Sequence, residues 1–114
     1  MTPNAIIGTW ELCQLYPKAK DTFQHKETMQ LTIEKDGTTT GFLACNKFRT
    51  TCTTYRDSIA FGTILSSRTF CQRSVMDLED KIKAVISTSN LYSTKDNTLT
   101  LYCGKEKLAL FKKH

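Results

Sequence analysis

The chain has 114 residues, a formal net charge of +5 and five cysteines, with 39% hydrophobic and 24% charged residues. That size fits a single domain over residues 1–114 that buries its own core without metals or disulfides as staples. The balance excludes collagen-like, disordered and coiled-coil classes. No run approaches the roughly 18 apolar residues that a membrane-spanning helix needs.

The opening Met1-Thr2-Pro3-Asn4-Ala5-Ile6-Ile7-Gly8 has no basic region followed by a long apolar run, so no signal peptide is expected. No glycine follows Met1, and the closing Phe111-Lys112-Lys113-His114 is not a prenylation box. A soluble, cytoplasmic protein is the expectation. Gly8-Thr9-Trp10-Glu11-Leu12 reads as a first strand with Trp10 and Leu12 on one face, and Pro17 to His25 reads as a polar surface loop. Met29, Leu31 and Ile33 alternate with Thr28, Gln30 and Thr32, the period of a strand buried on one face. Asp36-Gly37 is a hairpin signal, and Thr38 to Ala44 returns as the partner strand. Ala44-Cys45-Asn46-Lys47-Phe48 reads as a strand end, and Ser58-Ile59-Ala60-Phe61 as another short strand.

The period then changes. Val75, Leu78, Ile82, Val85 and Ile86 recur at steps of three and four, which predicts one amphipathic helix over residues 74–88. Ser74 with Asp77 reads as a capping-box variant, and the acid complements the positive end of the helix dipole. Asp77 with Lys81 and Glu79 with Lys83 are i,i+4 pairs in the favourable order, so Asp77, Glu79 and Asp80 are assigned to the cap and the solvent face. Three strands follow. Leu99 and Leu101 mark one, Leu108 and Leu110 another, and Asp96-Asn97 and Cys103-Gly104-Lys105 supply the turns. With no βαβ alternation, the class is α+β and mostly β. The expected architecture is a strongly bent antiparallel sheet or half-barrel of about seven to eight strands, with the helix plugging one open side.

The chemistry-bearing residues are sparse. Cys13, Cys45, Cys52, Cys71 and Cys103 form no C-x-x-C pair, and His25 and His114 have no cysteine at ligand spacing, so no metal site is expected. A Cys/His nucleophile pair would have to use His25, and nothing near it supports that. The five glycines are isolated, so no phosphate loop is present. Lys18, Lys20, Lys47, Arg49, Lys105, Lys107, Lys112 and Lys113 are scattered, which reads as a solvated basic surface rather than a nucleic-acid footprint. Two patches stand out: Ala44 to Phe48, and Ser66 to Cys71. Asn46 with Ser67 and Thr69 fits a tight connection fixed by side-chain to backbone hydrogen bonds, and a ligand site is the alternative.

These patches carry a resemblance. The chain is similar to the META-domain family, which includes the heat-inducible bacterial protein HslJ and small proteins of trypanosomatid parasites. Gly8-Thr9-Trp10 matches the family's opening Gly-x-Trp strand. Gly41-Phe42-Leu43-Ala44-Cys45-Asn46-Lys47-Phe48 with Tyr55 matches its central signature, except that Ala44 replaces a second glycine. Phe61-Gly62, Ser66-Ser67-Arg68-Thr69-Phe70-Cys71, the helix and Leu99 to Leu101 follow in the family's order. Arg49-Thr50-Thr51 stands where the family usually has a glycine, which implies a differently shaped loop.

The resemblance implies a bent antiparallel sheet with one helix. It implies no enzymatic activity and no cofactor, and it associates the chain with stress response, virulence or secretion. Gly8, Trp10, Gly41, Cys45, Asn46, Phe48, Arg68 and Cys71 are its motif residues. It also implies that Cys45 and Cys71 lie close, within the roughly 7 Å between Cα atoms that a disulfide requires, bonded in an oxidising compartment and reduced in the cytosol. The leading expectation is a non-catalytic module that binds a protein partner, with the first or last strand as a free edge. A carrier of a small apolar ligand is the first alternative, since lipocalins and fatty-acid-binding barrels also open with Gly-x-Trp. This chain offers only Lys112 and Lys113 where lipocalins place an arginine over that tryptophan. A thiol or redox role at Cys45 and Cys71 is the second alternative. No nucleic-acid partner is expected.

Overall fold

A computed structural model of the chain describes residues 4–16, 29–43 and 45–114. The expected loop at 17–25 with Lys18, Lys20 and His25, the Thr28 that opens the second alternation, and Ala44 lie outside the described residues.

After a 3-10 turn at Asn4–Ile6, the strands are β1 (Gly8–Leu15), β2 (Gln30–Ile33), β3 (Thr38–Leu43), β4 (Asn46–Tyr55), β5 (Ser58–Phe61) and β6 (Leu65–Ser66). The helix α1 spans Arg73–Thr88, and β7 (Leu91–Lys95), β8 (Thr98–Cys103) and β9 (Glu106–Lys113) complete the chain. Each strand hydrogen-bonds to its neighbour in the order β3-β2-β1-β9-β8-β7-β5-β4, and β3 also pairs with β4. The result is a closed eight-stranded antiparallel barrel, where the patterning suggested a half-barrel. The seam between β5 and β7 is its thinnest, with the single register pair Ser58↔Leu91. Among the described residues the extra strand β6 pairs only with β4, at Phe48↔Ser66 and Arg49↔Leu65.

Closure depends on β4, which the sequence conceals. Asn46 begins this strand instead of ending one, and Arg49-Thr50-Thr51 lies inside it instead of forming a loop. Its inward positions alternate strictly, but they are Asn46, Phe48, Thr50 and Cys52. Two of the four are polar, so no apolar period of 2 is visible. Thr50 faces inward because its hydroxyl donates to the Gly62 carbonyl at 2.9 Å, which satisfies a buried polar group.

The first and last strands are not free edges. β1 and β9 pair with one another from Trp10↔Lys113 to Leu15↔Ala109. Inward side chains from the strands, among them Trp10, Leu31, Leu99 and Phe111, form one buried cluster. Ile82 and Ile86 of α1 join it, which is what the helical period predicts.

The helix start differs from expectation. Gln72 occupies the N-cap, no side chain among the described residues caps it, and the first turn contains no acid, so Ser74 and Asp77 form no capping box. Cys71 is tied to Cys45 immediately upstream. The chain therefore enters the helix from a fixed point, and the Gln72 carbonyl accepts from Val75 and Met76 N–H at 3.0 Å each. At the other end Ser89 donates its N–H to Val85 and its hydroxyl to Ile86. Among the described residues, no helix is long and apolar enough to cross a membrane.

Candidate functional site

Two regions hold the motif residues. At one, Trp10 is buried and donates its indole N–H to the Ile6 carbonyl at 3.0 Å. The Lys113 ammonium lies 4.8 Å from the Trp10 ring centroid and donates to the Ile7 carbonyl at 2.7 Å. Gly8 takes φ 133°, and a Cβ there would meet Lys113 Cε and Nζ at 2.9 Å. The Gly-x-Trp motif is therefore a latch between the first and last strands, with lysine supplying the cation.

The other region joins the turn after β3, the segment after β6, and α1. Asn46 is buried and uses its whole hydrogen-bonding capacity. Its Oδ1 accepts from the Thr69 N–H at 2.6 Å and from the Ser67 hydroxyl at 3.0 Å. Its Nδ2 donates to the Thr69 carbonyl at 3.4 Å and to Glu79 Oε2 at 2.9 Å. The amide thus grips the Thr69 backbone on both sides, as a paired strand would. The connection expected from Asn46, Ser67 and Thr69 is present as side-chain to backbone hydrogen bonds.

Glu79 completes the cluster. The i,i+4 pairing with Lys83 predicts it on the solvent face of the helix, but it is 1% exposed. Its Oε1 accepts from the N–H groups of Asn46 at 2.9 Å and Cys45 at 3.3 Å, and Lys83 Nζ stands 3.6 Å from Oε2. A carboxylate is tolerated there because backbone and amide N–H groups solvate it in place of water. A signal was available: position 79 is four after Val75 and three before Ile82, on the apolar stripe itself.

Cys45 and Cys71 are joined by a disulfide, with Cα atoms 6.2 Å apart. Phe48 is buried against the core. Gly41 pairs with Leu31 where β3 lies so close to β2 that a Cβ would fall on the Gln30 carbonyl, 2.9 Å from Leu31 Cα and 2.7 Å from Phe48 Cε1. Tyr55 is exposed and carries Arg56 over its ring at 5.5 Å.

Between β6, the segment at 67–71 and α1 runs a groove of about 550 Å³. Asn46 and Glu79 contribute to its lining, together with Leu65, Arg68, Phe70 and Lys83. Leu65 is 66% exposed and Phe70 95%, unusual for side chains of that size. Among the described residues no ion pair engages Arg68, and no buried side-chain polar atom lacks a partner.

The remaining thiols lie apart from this region. Cys52 is buried, and desolvation pushes its pKa up to about 11. Cys13 is exposed at the β1 bulge, and partial burial raises its pKa, with Lys112 opposing. Cys103 is exposed beside the β8–β9 turn. Among the described residues, no three His, Cys, Asp or Glu side chains converge as metal ligands.

The META-domain family model matches residues 4–114. No curated protein sequence matches the chain significantly. Solved structures share the fold at low identity. A protein from Burkholderia xenovorans, determined by NMR, superposes with a TM-score of 0.78 at 14% identity over 94% of this chain and 81% of its own. A second NMR structure gives 0.73 at 16% identity over 99% and 96%. A crystal structure of a DUF4847-family protein from Bacteroides vulgatus gives 0.71 at 17% identity over 97% and 95%.

Proposed function

The chain belongs to the META-domain family, and from that premise we propose that it is a non-catalytic module that binds a protein or peptide partner along the outer side of β6. One observation carries the reading: among the described residues β6 pairs on one side only, with β4, and its exposed Leu65 lines a groove together with the exposed Phe70. An extended segment added there gains main-chain hydrogen bonds and covers apolar surface. The polar cluster below the groove supports a scaffolding role, because the hydrogen-bonding capacity of Asn46 is spent within the chain. Stress response, virulence or secretion, associated with the family, are the settings we propose for the module. The barrel interior is occupied by Trp10, Leu31, Leu99, Phe111 and their neighbours, which leaves the ligand-carrier reading without a supporting observation.

The test uses Ser66→Pro. Ser67 N–H donates to the Lys47 carbonyl at 3.1 Å, so residues 65 and 67 face β4 and the Ser66 N–H faces outward. Proline at 66 removes the outward donor and spares the β4 pairing. The wild-type chain is expected to retain a defined partner from native extract and to rebind it after purification, and Ser66→Pro is expected to lose it with an unchanged circular-dichroism spectrum. Equal retention by both chains overturns the reading.

A further inference from the structure

We infer that the segment accepted at β6 is an extended acidic peptide bearing a large apolar side chain; this rests on the docking reading above and adds the chemistry of the partner. The groove's apolar share is Leu65 and Phe70 at its rim with Met76 and Ile64 behind them. An extended chain presents alternate side chains to one face, so one apolar residue lodged against Leu65 and Phe70 directs residues two positions away along the same face.

Charge decides what those residues are. Among the described residues the groove lining contains three charged side chains: Arg68, Glu79 and Lys83. Glu79 is buried, and its oxygens are taken up by Cys45 N–H, Asn46 N–H, the Asn46 amide and Lys83. Its negative charge is thus solvated internally, and at 1% exposure it offers a ligand little surface. Arg68 is exposed and unpaired among the described residues. Lys83 lines the groove with a side chain 33% exposed, its ammonium 3.6 Å from Glu79 Oε2, so Arg68 is the lining cation without such a partner among the described residues. Lys47 and Arg49, exposed on β4, flank β6 from the other side, with Arg49 directly opposite Leu65. Asp77 and Asp80 of α1 are exposed but do not line the groove. An arriving strand therefore meets Arg68 and Lys83 beside the groove, with Lys47 and Arg49 one strand further off across β6, and among the described residues no exposed carboxylate lines the groove. Complementarity favours acidic partners and disfavours basic ones.

The experiment is a fluorescence-anisotropy titration of the full chain with short labelled peptides that share one alternating apolar core. One is flanked by aspartates, one by lysines, one by serines, and one repeats the aspartate flanks with N-methylated backbone at alternate positions. The expected result is about tenfold tighter binding of the acidic peptide than of the basic one at low salt, a preference that shrinks as salt rises. Arg68→Glu is expected to weaken the acidic peptide about tenfold, whereas Lys95→Glu, a charge reversal on β7 outside the groove lining, leaves it unchanged. Ser66→Pro and the N-methylated peptide are expected to abolish binding. Equal binding of acidic, neutral and basic peptides, still abolished by Ser66→Pro, overturns the acidic inference and leaves docking at β6 standing. Binding that survives both Ser66→Pro and N-methylation, or no binding by any peptide at millimolar concentration, overturns both.

Discussion

Glu79 Oε2 accepts the side-chain amide of Asn46 at 2.9 Å across 33 residues of sequence. Through that single contact the helix, the turn after β3 and the segment after β6 become one unit. Asn46 holds Thr69 by both backbone groups, while Glu79 holds the turn by two backbone N–H groups.

Asn46→Asp replaces the Nδ2 donor with a second carboxylate oxygen facing Glu79. We expect a loss of roughly 3 kcal/mol at neutral pH, because a buried charge then lacks its hydrogen bond and meets a like charge. The loss is expected to shrink in acid, where a proton shared between the two carboxylates restores a donor. Urea unfolding at two pH values measures both effects. An unchanged midpoint at neutral pH contradicts the network.

Gly41→Ala is expected to cost about 3 kcal/mol or to prevent folding, since the added methyl meets backbone atoms that a side-chain rotation cannot clear. Chemical denaturation of the soluble variant reads the cost. Wild-type stability would show that β2 and β3 do not pack so closely at Gly41.

Cys52 and the two exposed thiols should separate by reactivity. A thiol reagent is expected to modify Cys13 and Cys103 in the folded chain and Cys52 only after unfolding. The pKa of Cys52 is pushed up to about 11, so the folded chain holds that proton more tightly than the unfolded one. This contribution to stability is fully present below the thiol's ordinary pKa and is lost as pH rises from there through about 11. Cys52→Ala is expected to flatten the alkaline fall in stability; an identical alkaline profile sinks the assignment.

The Cys45–Cys71 bridge closes a segment with a sequence separation of 26. Its removal by the double variant Cys45→Ser, Cys71→Ser is expected to cost roughly 3 kcal/mol through the freedom regained by the unfolded chain. The groove should persist, because Asn46 holds Thr69 independently of the bridge. Retained binding of the acidic peptide by the stable double variant is the expected outcome. Loss of binding with intact fold would assign the bridge a direct part in shaping the groove.

Much of this was written in local patterns. The alternation of Met29, Leu31 and Ile33, the Asp36-Gly37 turn and the 3.6-residue stripe of α1 each depend on neighbours in the chain. They fix antiparallel strands with one helix because side-chain direction follows the backbone period. Asn46 and Cys71 are visible too, as polar and thiol residues where branched apolar ones are usual, while Gly8, Trp10 and Gly41 are legible through the family resemblance. Tertiary contact decided the rest. β4 was hidden because two of its inward residues are polar and are satisfied only by distant partners. The ring closes through β4. Glu79 looked like a surface acid because its partners lie more than thirty residues upstream. A charge on an apolar stripe makes physical sense only once a turn delivers N–H groups to it.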